Sequence, residues 1–276
     1  MSCYRFEELN FDNSLFESVD VTYIIHLENN GRLENVMDQL NKFKPSKKCI
    51  IVHNLGYKKC SKPHLPQQSS NFDLLDVNLE IMKDAKKRDL KNVMVLEDDF
   101  FFDNDVFNHS KHVDQFIWKK ENIPIVYFPG NIPLIQCPIE PFHNRLFLFG
   151  VSHCVIYNKP LYLDVLSKNS IFENTINHMD CFYLQYKCYN YYKPICFQLF
   201  PETENQKEWF LSFLMVFLVK MILLDKQHQP GFTILYILSY ILSFFLLLML
   251  IYFLYSYILK PIMKTKFTKN IFTMHI

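Results

Sequence analysis

A chain of 276 residues with a formal net charge of +1 allows one large domain, or one domain with an appendage, and gives no electrostatic case for a nucleic-acid partner. Half of the residues are hydrophobic and 21% are charged, a globular average that hides a division, because most of the charge lies before residue 209. The 8 cysteines include no C-x-x-C pair, which excludes a zinc ribbon and predicts reduced thiols in a cytosolic protein rather than a disulfide framework.

The stretch from Met1 to Glu8 carries acids early and has no apolar core, so no secretory leader is expected. After this polar lead, Val21 to Leu27 is a β-branched run of strand length, and Glu28-Asn29-Asn30-Gly31 reads as a turn. Leu33, Val36, Met37, Leu40 and Phe43 then recur at helical spacing, and Pro45 and Ser46 end that helix. Cys49 to His53 predicts a second buried strand, and the Lys-, Pro- and Gln-rich stretch from Tyr57 to Ser70 predicts a mobile or ligand-facing loop. Asn71 or Asp73 can cap the next helix, whose apolar face is Leu74, Leu75, Ile81, Met82 and Ala85. It leads into Val93 to Leu96, a third strand. The order βαβαβ predicts an α/β fold around a parallel sheet.

That third strand ends in Glu97-Asp98-Asp99. Three adjacent carboxylates repel one another unless a cation or a set of donors offsets them. At the carboxyl end of a parallel strand they lie where open α/β sheets bind ligands, and a divalent cation such as Mn2+ or Mg2+ takes oxygen ligands of this type. The alternative is a solvated acidic turn. Strand alternation predicts that Glu97 and Asp99 face the crevice together while Asp98 turns toward backbone donors, with Asp99 the leading metal ligand. Asp103 and Asp105 read as a solvated loop.

The second half predicts short strands at Ile125 to Phe128, Leu146 to Phe149 and Cys154 to Tyr157, separated by a Pro-rich stretch. Pro160 fits the start of a short helix to Leu166, His178 to Tyr186 reads as helical, and Pro194 to Phe200 as extended. In Asn177-His178-Met179-Asp180, Asp180 could serve as general base and His178 as metal ligand or substrate contact. On the residues alone the simpler reading takes precedence, in which Asp180 complements the helix dipole and His178 lies on the surface.

From Trp209 the composition changes. Trp209 to Leu224 is apolar apart from Ser212 and Lys220, a polar turn follows, and Phe232 to Leu259 contains no charge. The latter exceeds the ~20 residues that cross a bilayer. Residues 209–224 and 232–259 together predict a membrane hairpin, the first arm being otherwise an interfacial helix. Lys260, Lys264, Lys266 and Lys269 place the tail, residues 260–276, in the cytosol. Residues 1–208 precede any apolar segment, so the soluble domain is expected there too, with the sequon Asn108-His109-Ser110 unused.

Taken in order, several of these segments resemble one family. Tyr23-Ile24-Ile25-His26-Leu27 followed by Arg32 resembles the opening of the family 25 glycosyltransferases, the lipopolysaccharide and collagen galactosyltransferase type, and Leu96-Glu97-Asp98-Asp99 is similar to their L-E-D-D signature. Gly150 to Tyr157 with Asp164 to Leu166, His178-Met179-Asp180, and Pro194 to Asn205 with its P-x-x-x-Q block resemble later segments. The resemblance implies a GT-A-like, nucleotide-sugar-binding Rossmann-type domain over residues 1–208. It implies transfer of a hexose from a donor such as a UDP-sugar to a glycan or protein hydroxyl, with Mn2+ or Mg2+ at the diphosphate. By carry-over Glu97 and Asp99 hold the metal, Asp180 is the base, and Arg32, His26 and Asp98 lie near the nucleotide. His26 stands where the family has Asn, and the C-terminal apolar segment is not a usual part of it. A non-catalytic membrane adaptor with a degenerate domain of this kind is the other expectation.

Overall fold

The computed structural model describes residues 2–168, 182–200 and 212–260. His178, Asp180, Cys181 and the tail after Lys260 lie outside the described residues. A seven-stranded mixed sheet forms the centre, in the order β1 (Tyr4–Asn10), β3 (Lys48–Asn54), β2 (Val21–Leu27), β4 (Asn92–Glu97), β7 (His143–Asn158), β6 (Ile125–Glu140), β8 (Lys187–Tyr191). Its core is the expected parallel unit: β2 (Val21–Leu27) is hydrogen-bonded in parallel to β3 (Lys48–Asn54) on one side and β4 (Asn92–Glu97) on the other.

Burial on both faces explains why these strands read as continuous apolar runs. Tyr23, Ile25, Ile50, Val52, Val93 and Val95 point into one core together with Leu75, Ile81 and Met82 of α2 (Ser70–Lys87). Ile24, Ile51, Met94 and Leu96 point the other way, against Val36, Leu40 and Phe43 of α1 (Leu33–Phe43) and Val113, Phe116 and Ile117 of α3 (Ser110–Lys119). Parallel strands and the helices on both sides bring the carboxyl ends of β2 and β4 to one edge.

The polar lead is itself a strand. β1 (Tyr4–Asn10) runs antiparallel to β3 as a half-exposed edge, which is why its composition does not look like a strand. Helix α2 is capped neither by Asn71 nor by Asp73: Ser69 is the cap, its hydroxyl accepting from the Phe72 N–H at 3.5 Å.

The Tyr57–Ser70 loop, expected to be mobile or ligand-facing, is tied down twice. Cys3 and Cys60 form a disulfide, which corrects the expectation that all thiols are reduced; among the described free cysteines only Cys137 is exposed. Lys62, 1% exposed, donates to Asp73 and to Asn54 Oδ1 at 3.1 Å, and its ammonium lies 4.0 Å from the Tyr4 ring centre. A buried ammonium of this kind holds the loop because its carboxylate partners have no water to fall back on.

The Pro-interrupted second half forms long strands rather than short ones. β6 (Ile125–Glu140) and β7 (His143–Asn158) make one antiparallel hairpin whose register shifts near Gly130, Pro133 and Pro138, the positions where a strand tolerates proline. β8 (Lys187–Tyr191) bonds to both of them, parallel to β6 and antiparallel to β7. Two short strands, β5 (Phe100–Phe101) and β9 (Phe197–Gln198), pair beside the sheet, and α4 (Lys159–Ser167) begins at Pro160 as expected.

Of the two apolar stretches, the described part of the first forms α5 (Ser212–Met221), about 15 Å long at 1.5 Å per residue. The second forms α6 (Gly231–Leu254), extended by one π-helical turn to Leu259, which is long and apolar enough to span. Among the described residues this one helix is the spanning candidate.

Lys62→Met in the detergent-solubilised chain should lower stability by about 3–5 kcal/mol, because Asp73 is then left buried without its cation. Urea unfolding under oxidising and reducing conditions measures this. The loss should persist in both, since the ion pair and the disulfide fasten the loop independently.

Candidate active site

The turn after β2 is built to meet the end of β4. Asn29 and Gly31 adopt left-handed backbone conformations, φ 65° and 76°, and this reverses the chain so that Asn30 and Arg32 both face Asp98. Asn30 does two things at once: its amide nitrogen donates to Asp98 Oδ2, and its Oδ1 accepts from the Arg32 N–H at 3.0 Å.

Asp98, buried, is saturated with donors. Oδ2 accepts from the Leu27 N–H at 3.0 Å and from His26 Nδ1 at 3.1 Å, besides Asn30, while Oδ1 accepts from Arg32 Nη1 at 2.9 Å. Burial pushes its pKa up, but the bonds from His26 and Asn30 and the charge of Arg32 outweigh it, and the carboxyl titrates below its ordinary value. His26, Arg32 and Asp98, expected near one another, are thus brought together.

Asp99 has the opposite balance. Its Oδ2 accepts from the same Arg32 Nη1 at 3.1 Å and from Gln198 Nε2 on β9 at 2.7 Å. Oδ1 is buried and has no hydrogen-bond partner. Burial dominates here, Arg32 opposes it, the neighbouring charge of Asp98 adds to it, and the pKa rises to about 6. Arg32 loses hydration but gains more from Asp99 and Asp98, so it is held more firmly protonated than usual.

Glu97 does not join them. It is the last residue of β4 and faces the opposite side of the sheet, lining a small cavity with Ile25, Asn78, Ser152 and Tyr183. The expected pairing of Glu97 with Asp99 fails because the strand stops at Glu97; Asp98 and Asp99 lie in a turn, where alternation no longer applies. Asp103 caps a short 3-10 helix through the Asp105 N–H at 2.9 Å, and Asp105 pairs with Lys193 at 2.5 Å. Both are structural.

Gln198 was not singled out from the sequence as a site residue, although it closes the Pro194–Gln198 block. The pairing of β5 with β9 delivers it: Phe100 lies opposite Gln198 and Phe101 opposite Phe197. Phe197 in turn packs against Phe232 and His228, ring centres 5.5 and 4.4 Å away, so the roof of the acidic site rests on the first turn of α6.

Among the described residues no group of three His, Cys, Asp or Glu side chains could by itself hold a metal. One feature does suit a hard cation, the buried and unpartnered Asp99 Oδ1. Magnesium-type sites often use one or two carboxylates and complete their shell with substrate phosphate and water, and a single free carboxylate oxygen beside the partly exposed Arg32 fits that pattern.

No family model matches the chain, and no curated protein matches it. The family 25 resemblance therefore remains a likeness of motifs. Solved structures with similar outlines include A197 from STIV, at TM-score 0.38 and 10% identity over 62% of this chain and 81% of that one. Others are a glycosyltransferase involved in the glycosylation of the major capsid of PBCV-1, at 0.31 and 12% over 56% and 71%, and UDP-glucose pyrophosphorylase complexed with UDP-glucose, at 0.32 and 12% over 62% and 72%.

The raised pKa of Asp99 gives a signed expectation. The native state holds this proton more tightly than the unfolded chain, so the contribution to stability is full below the ordinary carboxyl pKa and is lost as pH rises through about 6. Asp99→Asn removes that loss. In EDTA the variant should melt higher than the parent at pH 7.5, by the equivalent of roughly 1–3 kcal/mol, and the difference should vanish near pH 4. Calorimetric scans at the two pH values measure it.

Proposed function

We propose that the chain is a membrane-anchored glycosyltransferase that moves a hexose from a nucleotide sugar, a UDP-sugar foremost, to a hydroxyl of a glycan or protein. The observation that carries this reading is Arg32 held between Asp98 and Asp99 at the carboxyl edge of β2 and β4. That edge is where open α/β sheets bind nucleotides. Arg32 is partly exposed and offers its remaining N–H groups to a diphosphate, for which a planar guanidinium is well shaped. Asp98 positions it. Asp99 Oδ1 would hold a bound Mn2+ or Mg2+, which would supply positive charge to the departing diphosphate.

In this reading Asp180 takes the proton of the acceptor hydroxyl and His178 contacts metal or substrate, roles that rest on the motif His178-Met179-Asp180. With UDP-glucose and UDP-galactose plus manganese, the detergent-solubilised chain should release UDP. Asp99→Asn and Arg32→Lys should each cut turnover at least about 100-fold while the fold is kept, the loss expected when a charge-stabilising group is removed. Full turnover in both would sink the assignment.

One observation favours the adaptor reading: Arg32 already pairs with both acids, as in a purely structural cluster. Titration calorimetry separates the two. An adaptor binds no nucleotide sugar with or without manganese, whereas the enzyme reading requires binding that weakens in Arg32→Lys.

For orientation we keep the domain on the cytosolic side; α6, docked on the domain through its first half, then carries Lys260 to the opposite side of a bilayer that it spans, against the expectation that the domain and the basic tail share one side. The Cys3–Cys60 bond argues the other way, because disulfides persist in oxidising compartments. Asn108 of the sequon is exposed, so it reports the outcome. Translation with microsomes should leave it unmodified; an endoglycosidase-sensitive shift lost in Asn108→Gln would place the domain in the lumen.

A further inference from the structure

The apolar helix is not a free stalk. Its first half carries four polar side chains on one stripe, Tyr236, Ser239, Tyr240 and Ser243, at the spacing of one helical face. All four engage the hairpin β6–β7 or its neighbour β8. The Tyr236 hydroxyl donates to Asn131 Oδ1 at 2.9 Å, Gln136 Nε2 to Ser239 Oγ at 2.6 Å, the Gln136 N–H to Ser243 Oγ at 2.9 Å, and Asn144 Nδ2 to the Tyr240 hydroxyl at 2.8 Å. Asn131, Gln136, Asn144 and Asn190 are buried beneath the helix. Such a network fixes both the rotation and the height of α6 against the sheet.

That height has a consequence for a bilayer. Beyond Ser243 the helix continues only from Phe244 to Leu259, about 24 Å at 1.5 Å per residue, before Lys260. A hydrocarbon core is about 30 Å thick and needs about 20 residues. Counting back from Leu259, the apolar layer must reach to about Tyr240, the level at which Gln136 grips the helix. The hairpin strands therefore cannot stand clear of it.

Their outer surface suits that position. Leu134, Phe147 and Leu148 are 42%, 56% and 40% exposed, and the register pairs Leu148 with Ile135, so the three lie together on the hairpin next to Gln136. No Asp, Glu, Lys or Arg occurs from Phe128 to Ile139, from Phe147 to Ile156, or from Gly231 to Leu259. On the helix Ile237, Leu238, Ile241 and Leu242 continue the exposed apolar surface at the same level. Contiguous uncharged area of this kind marks a contact surface rather than ordinary scatter.

We propose that the outward face of the β6–β7 hairpin, Leu134, Phe147 and Leu148, lies in the bilayer interface beside α6. The domain is thus seated on the membrane by two elements with a fixed face down, rather than tethered at a distance. The proposal rests on the reading of α6 as a membrane helix, and its test keeps the two apart.

The full chain, with Cys137→Ser and Cys181→Ser to remove competing thiols, is reconstituted into phosphatidylcholine vesicles with one reporter cysteine at a time: Phe147→Cys, Phe245→Cys or Lys42→Cys. Each carries an environment-sensitive fluorophore, quenched either by shallow nitroxide lipids or by aqueous iodide. The expected result is lipid quenching at 147 at least half as strong as at 245, with iodide quenching at least fivefold weaker than at 42. Iodide quenching at 147 equal to that at 42, without lipid quenching, overturns the proposal and leaves the membrane helix standing. Protection of 147 from both quenchers overturns it as well, since a second copy or another part of the chain then covers the face. Absence of lipid quenching at 245 removes the membrane reading itself.

Discussion

The Asp98 carboxylate is the joint on which the arrangement depends. Three elements meet at it: the end of β2 through the Leu27 N–H and His26, the following turn through Asn30, and the start of α1 through Arg32. Asp98 itself belongs to the chain leaving β4. A buried carboxylate would be expensive to ionise alone; with four donors, each hydrogen bond to its charge contributes about 1.5–3 kcal/mol, and it becomes a fastener. The parallel pair β2–β4 is thereby closed at the one end where the backbone ladder has run out.

Saturating Asp98 leaves Asp99 with what remains. It must share the same guanidinium, it sits beside a like charge, and one of its oxygens has no hydrogen-bond partner. Two adjacent acids thus have opposite characters, one held ionised and one reluctant to ionise, a divergence set by how the donors around them are divided. The strain is confined because Arg32 and Gln198 approach Asp99 from two different segments, neither of which can move without disturbing a core.

How much of this could be read from residues depended on burial. β2, β3 and β4 are covered on both faces, so Val21–Leu27, Lys48–Asn54 and Asn92–Glu97 differ little from the apolar runs that announce them. β1 was hidden because an edge strand exposes half its side chains, and β6–β7 because prolines that normally end strands sit at register shifts within them. The cluster of acids was visible, but its division was not: alternation pairs Glu97 with Asp99 only while the strand lasts, and it stops one residue too soon. No local spacing could join Cys3 to Cys60, 57 residues apart, or bring Gln198 to Asp99. Those are products of topology.

The apolar helix shows the same contrast. Its length was plain, whereas its attachment depends on two tyrosines and two serines scattered through an otherwise greasy run, a weak signal until the facing amides of Asn131, Gln136 and Asn144 are seen. Hydroxyls in a membrane-length helix are costly to leave unpaired in hydrocarbon, so a stripe of four on one face implies a polar partner along that face. Here the partner is the soluble domain itself. Because Phe197 of the site's roof rests on Phe232 in the first turn of the same helix, the docking that fixes the height of α6 also fixes the distance between Asp99 and the apolar layer. An acidic site at a loose end of a flexible tether would have no such fixed distance.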